Sequence, residues 1–117
     1  MPWVEVVHRW IADPLDLDRL SDEIQKIVSK ALHVEENERA HLVPDDVEVE
    51  FREAGIRSKC KQINIIIQAN AYPEREVNIN QRAQQIADEV RKVWNRDSRN
   101  LIHGMVYIPT MKGFAEF

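Results

Sequence analysis

What most limits the folds open to this chain is a pattern written twice within 117 residues: an apolar alternation, a long stripe at helical spacing, and a second alternation. In the first unit, Trp3 to Trp10 reads as a strand, with Val4, Val6 and His8 on one face and Trp3, Glu5, Val7 and Arg9 on the other. Neither face is cleanly polar, so cover is expected on both sides. Asp13 followed by Pro14 is an N-cap with proline at the first helical position, and Asp16 suits the positive end of the helix dipole. Leu17, Leu20, Ile24, Ile27, Val28 and Ala31 then recur every three or four residues, which predicts a helix to about Leu32. Glu35 to Asp46 follows neither period and holds Pro44, so it reads as a connection. Val47, Val49 and Phe51 alternate with charged residues as a half-buried strand.

The second unit begins at Ile63, Ile65 and Ile67, the strongest strand signal in the chain. Asn70 to Asn78, with Pro73 and Arg75, reads as a loop. Ile79, Ala83, Ile86, Ala87, Val90, Val93 and Trp94 form another helical stripe from about Asn80 to Trp94, stopped by Asp97, Ser98 and Asn100. Leu101 to Ile108 is the expected fourth strand, ended by Pro109, and Gly113, Phe114 and Phe117 form a short tail. The expectation is one α/β (α+β) domain over residues 1–117, with pseudo-repeats at about 2–53 and 62–117. Its two consecutive β-α-β units form a four-stranded sheet with two helices on one face, each crossover right-handed. No third helix remains to cover the other face, so self-association is expected. Two topologies share this element order. In a ferredoxin-like sheet, a strand of the other unit lies between the two strands flanking each helix; in the alternative those two strands are direct neighbours.

Composition narrows the function. Apolar residues make up 44% and charged residues 31% of the chain, which excludes a disordered polymer, and the formal net charge of -4 argues against a nucleic-acid partner. Cys60 is the single cysteine, so an internal disulfide and a multi-cysteine metal site are both excluded. The longest uncharged apolar run, Ile63 to Ile67, includes Asn64 and is too short to span a bilayer. A soluble, cytoplasmic protein without a secretory leader is expected. His8, His33, His41 and His103 lack metal-ligand spacing. Around Gly55 lie four cations, Arg52, Arg57, Lys59 and Lys61, beside Cys60.

The start of the chain offers a candidate catalyst. Removal of Met1 would leave Pro2 as a free secondary amine; an α-amino group titrates near ~7.7 to 8.0, burial lowers that value, and the result is a general base at neutral pH. The alternative is a proline that merely begins an edge strand, where its missing N–H costs nothing. Met1-Pro2 opening directly into a strand, followed by two β-α-β units, resembles the tautomerase superfamily over the whole chain by architecture and over short stretches by residue.

The resemblance implies that strands flanking each helix are neighbours, and that Pro2 moves a proton between carbon and oxygen of a keto-enol substrate. Val106-Tyr107-Ile108 is similar to the segment that in longer members brings a tyrosine to the site from a neighbouring subunit. Gly55-Ile56-Arg57-Ser58 is similar to a stretch just before the third strand, where arginine can meet a substrate carboxylate. Arg75, in the loop after the third strand, is a second candidate for that contact, and Phe114 a candidate lid. The resemblance further implies a homotrimer, a small acidic substrate, and no metal or organic cofactor. Two positions depart from the family. Glu48 stands near where the short members place an arginine, and Pro109 stands where a longer member has an asparagine. The competing expectation is a non-enzymatic oligomeric module that binds a small ligand or a protein.

Overall fold

A computed structural model describes residues 2–9, 12–94, 103–113 and 115. Strand β1 (Trp3–His8) leads to helix α1 (Pro14–Leu32), then through two short 3-10 turns, Glu38–Ala40 and Pro44–Asp46, to β2 (Glu48–Glu53). Strand β3 (Ile63–Asn70) leads through the single-turn α2 (Pro73–Glu76) to α3 (Ile79–Trp94), β4 (Gly104–Tyr107) and β5 (Thr110–Met111). The cap read from the sequence is in place: the Asp13 side chain accepts the Leu15 N–H at 2.9 Å, with Pro14 entering the helix. Trp10, the stop residues at 97–100, Leu101 and Ile102, and the candidate lid Phe114 lie outside the described residues.

The sheet order is β2-β1-β3-β4. β1 pairs with β2 in parallel, β3 pairs with β4 in parallel, and the two units join through the antiparallel pair β1–β3. The strands flanking each helix are therefore direct neighbours, which excludes the ferredoxin-like order. Registers align Val49, Val4 and Ile67 in one row and Phe51, Val6, Ile65 and Val106 in the next. This side chain set meets Leu20, Ile24, Ile27, Val28, Ala31 and Leu32 of α1 and Ile86, Val90 and Trp94 of α3 in a single core. Burial of each large aliphatic is worth about 1.5–3 kcal/mol, so this helix-covered face carries most of the stabilisation. The opposite face bears Trp3, Glu5, Val7, Asn64, Ile66, Met105 and Tyr107, with Arg52 paired to Glu5, and no described helix covers it. No described helix is long and apolar enough to cross a membrane.

Two expectations need correction. Asn70 to Asn78 is not simply a loop, because Pro73 starts one helical turn after an extended Tyr72. Pro109 does not end the fourth strand but interrupts it. β4 and β5 share one register along β3 (Ile66 with Tyr107, Ala69 with Thr110), and the Pro109 carbonyl accepts the Ala69 N–H at 3.3 Å. Proline removes a donor from the ladder but leaves its acceptor.

Candidate functional site

Pro2 is buried at the mouth of β1, an interior strand, so the edge-strand alternative does not hold. As the residue just before the strand it tolerates the missing N–H, while its carbonyl accepts the Glu48 N–H at 3.0 Å and ties it to β2. One further step along both registers sets Pro2 beside Val47 and Ala69, each buried. It shares the parity of Val4 and Val6, which is the helix-covered side. A groove of ≈ 690 Å³ opens past its neighbours Trp3, Val47 and Glu48, with Gln25 and Asp45 on its wall. Two carboxylates and, among the described residues, no cation line that groove, so within one chain these residues repel rather than attract an acidic substrate.

Arg75 lies at this same end of the sheet, yet it is 2% exposed. Its Nε donates to the Leu32 carbonyl and one terminal nitrogen donates to the Asn70 carbonyl, both at 3.0 Å, and the guanidinium stands 5.2 Å from the Tyr72 ring centre. Arg82, on α3, donates to the carbonyls of Ala31 at 2.9 Å and His33 at 3.0 Å and is itself oriented by Asn78 at 2.7 Å. The last carbonyls of a helix have no partner within it and carry the negative end of the dipole. Two guanidinium groups thus terminate α1. Burial first, and then the Arg82 charge, lower the Arg75 pKa, while Tyr72 acts in the opposite sense. A guanidinium remains protonated in proteins, so the cost falls on stability rather than on charge state.

The other sequence candidates stand elsewhere in the chain. Tyr107 pairs with Ile66 on the open face and is 47% exposed, so it has the opposite parity to Pro2. Beside it, a groove of ≈ 520 Å³ runs between β4 and the start of α3, lined by Ile79, Asn80, Ala83, Val106 and Pro109. Arg57 is exposed in the connection from β2 to β3, at the end of the sheet where His8 meets Ile63. The length of β1, roughly 20 Å at ~3.3 Å per residue, separates that end from Pro2. One chain therefore brings Arg75 to the Pro2 end and leaves Tyr107 and Arg57 apart from it.

Sequence reasoning missed a second cluster. His33, Glu35 and His41 meet where the connection after α1 folds back, their rings stacked with centroids 4.8 Å apart and planes at 26°. His33 Nε2 donates to Glu35 at 2.8 Å, and His33 Nδ1 accepts the Leu42 N–H at 2.9 Å. With Nδ1 accepting, the neutral ring carries its hydrogen on Nε2, which leaves that nitrogen no lone pair for a metal ion. His41 Nε2 is likewise spent on the Glu35 carbonyl at 2.9 Å. This is a hydrogen-bonded stack, not a ligand set.

No protein-family model matches the chain, and no curated protein matches it in sequence. Solved structures do match its fold. MIF2 of Leishmania major superposes with a TM-score of 0.61 at 11% identity, covering 99% of this chain and 93% of that one. A native fused 4-OT gives 0.62 at 13% identity, covering 94% and 87%. A second fused 4-OT, described as a symmetric trimer, gives 0.61 at 9% identity, covering 94% and 85%. Paired β-α-β units with neighbouring flanking strands, joined antiparallel and matched almost end to end, give this chain the fold of the tautomerase superfamily.

Proposed function

We propose that the protein is a cofactor-independent tautomerase in which Pro2, once Met1 is removed, is the acid/base. The observation that carries this reading is the setting of Pro2: buried at the mouth of an interior strand, held through its carbonyl by Glu48, in this particular fold. With Met1 gone, a secondary amine beside the buried Val47 and Ala69 would lose part of its hydration, which disfavours its cation. The amine removes the proton α to a carbonyl, the C–H electron pair moves into an enolate, and the same proton returns at the other end of the system. Tyr107 from a neighbouring copy would donate to the enolate oxygen, and Arg57 from a neighbouring copy or Arg75 would hold a substrate carboxylate. Phe114 is the proposed lid. The likeness to a fused 4-OT described as a symmetric trimer supports a homotrimer that supplies those groups across its boundaries.

Two measurements on the native protein test this. Intact mass is expected to show the chain beginning at Pro2, and Pro2→Ala is expected to lower ketonase turnover of an arylpyruvate by about 100-fold or more. Retained methionine, or a Pro2→Ala variant with full activity, would overturn the reading.

A second reading has its own support. Arg75 spends two donors on main-chain carbonyls, and the groove next to Pro2 is lined by Asp45 and Glu48 with no cation among its described residues. Those features fit a non-enzymatic oligomeric module that binds a neutral small ligand or a protein. Absence of any proton exchange at the α-carbon of simple keto acids, in a chain with Pro2 free, would favour it.

A further inference from the structure

Three contacts close the connection after α1 on itself. The Val34 N–H donates to the Ala40 carbonyl at 3.2 Å, His41 Nε2 donates to the Glu35 carbonyl at 2.9 Å, and the Leu42 N–H donates to His33 Nδ1 at 2.9 Å. Val34 and Ala40 are buried at 1% and 0%, so the closed loop is part of the packed structure and not a loose strap. Of the three closures, only the last rests on an acceptor that a proton abolishes. A proton on Nδ1 sets donor against donor at Leu42, and that amide loses its partner.

We infer that His33 is an acid-operated latch on this loop: its neutral ring holds Leu42, and protonation releases it. Glu35 accepts the Nε2 hydrogen in both charge states. Its own carboxyl is held below the usual range by the His33 hydrogen bond first, then by the His41 and His33 charges. Cationic groups also surround the ring. His41 is stacked on the ring, Arg82 of α3 donates to the His33 carbonyl, Arg75 of α2 donates to the adjacent Leu32 carbonyl, Lys30 lies in the last turn of α1, and Arg39 lies on the loop itself. The latch closes only on a ring whose Nδ1 is free to accept, so a proton there removes the partner of the Leu42 N–H. Release leaves the arginine clamp on α1 intact and loosens the segment that runs on to Val47, the neighbour of Pro2. The latch stands whether or not Pro2 carries chemistry.

The test is a pH titration of the full-length, isotope-labelled protein by NMR, following the His33 ring nitrogens and the Leu42 amide. The neutral ring is expected as the Nε2–H tautomer. Protection of the Leu42 amide should fall with His33 protonation, by about tenfold between the neutral and the protonated ring, the worth of one hydrogen bond. His33→Asn places an oxygen acceptor near the Nδ1 position without a titrating proton, and it should keep Leu42 protected throughout. His41→Gln should leave the pH response of Leu42 in place. An Nδ1–H tautomer at neutral pH, a Leu42 amide indifferent to His33 protonation, or a wild-type response in His33→Asn would overturn the latch. The first two readouts come from the unmodified chain and decide the matter even if the variant fails to fold.

Discussion

Replacing Arg75 with methionine separates its structural role from any contact with substrate. The side chain is 2% exposed and makes two hydrogen bonds of 3.0 Å, to the last turn of α1 and to the end of β3. Methionine fills similar volume but leaves the Leu32 and Asn70 carbonyls without that donor, at about 1–3 kcal/mol for each buried acceptor. Against this, removing a buried cation relieves its desolvation and its repulsion from Arg82, the two influences that lower its pKa. The net expected loss is about 2–4 kcal/mol. With a urea m-value of ~1.5 kcal/mol/M, the midpoint of chemical unfolding should fall by roughly 1.5–2.5 M. Arg82→Met should cost less, about 1–2 kcal/mol, because Arg82 is half-buried and water can reach the carbonyls it leaves. The two losses should not add, since both residues bind consecutive carbonyls of one helix end. An Arg75→Met stability within ~0.5 kcal/mol of the parent would refute the clamp. If stability were unchanged while ketonase activity vanished, Arg75 would belong to the substrate instead.

Two further substitutions probe the frame around the candidate site. Gly104 opens β4 where a Cβ would stand 2.6 Å from the Ile63 carbonyl oxygen, a main-chain atom that cannot step aside, so Gly104→Ala should lower stability by about 1–3 kcal/mol in thermal unfolding. An unchanged melting temperature would show that β4 sits farther from β3 than its register requires. Asp13→Ala removes the acceptor of the Leu15 N–H and should cost about 0.5–2 kcal/mol, measured by urea unfolding, with Asp13→Ser recovering most of it.

Local patterns were legible in the sequence and long-range choices were not. Alternation in Val4 and Val6 and in Ile63, Ile65 and Ile67 marks the helix-covered face because residues two apart share a side of a strand. Asp13-Pro14 marks the start of α1 because an N-cap and its proline act within one turn. Which strands become neighbours depends on contacts some 40 to 65 residues apart in sequence, such as Trp3 with Gln68, and periodicity carries no information about that choice. The β4–β5 interruption reads as an end in the sequence because a missing donor looks like a stop, although the ladder needs only the Pro109 carbonyl. Arg75 reads as a loop cation for a different reason: the Leu32 carbonyl that consumes it lies on another element. A signal did exist. His33-Val34 follows α1 where a glycine commonly closes a helix, so its last carbonyls needed other donors, and Arg75 and Arg82 lie seven residues apart beside them. The His33–His41 stack has no comparable signal, since it forms only when the loop folds back.

The separation of Pro2 from Tyr107 and Arg57 makes the proposed site depend on assembly, and the open face is where that dependence can be tested. Ile66 stands mid-row on this face, between Glu5 on β1 and Tyr107 on β4. Its neighbours in sequence, Ile65 and Ile67, point into the core, so a change at Ile66 leaves the monomer's packing alone. Glutamate there joins Glu5, Glu48 and Glu50, with Arg52 already committed to Glu5. If a second copy covers this face, Ile66→Glu buries an unpaired charge, at a cost of about 3 kcal/mol or more, and weakens association by over roughly 100-fold. Light scattering should then report a folded monomer at micromolar concentration, with ketonase activity lost although Pro2, Arg75 and the α1 clamp are untouched. A variant that remains oligomeric would move the interface off this face. A monomer with full activity would mean that everything Pro2 requires is supplied by one chain, and that Tyr107 and Arg57 have no part in the chemistry.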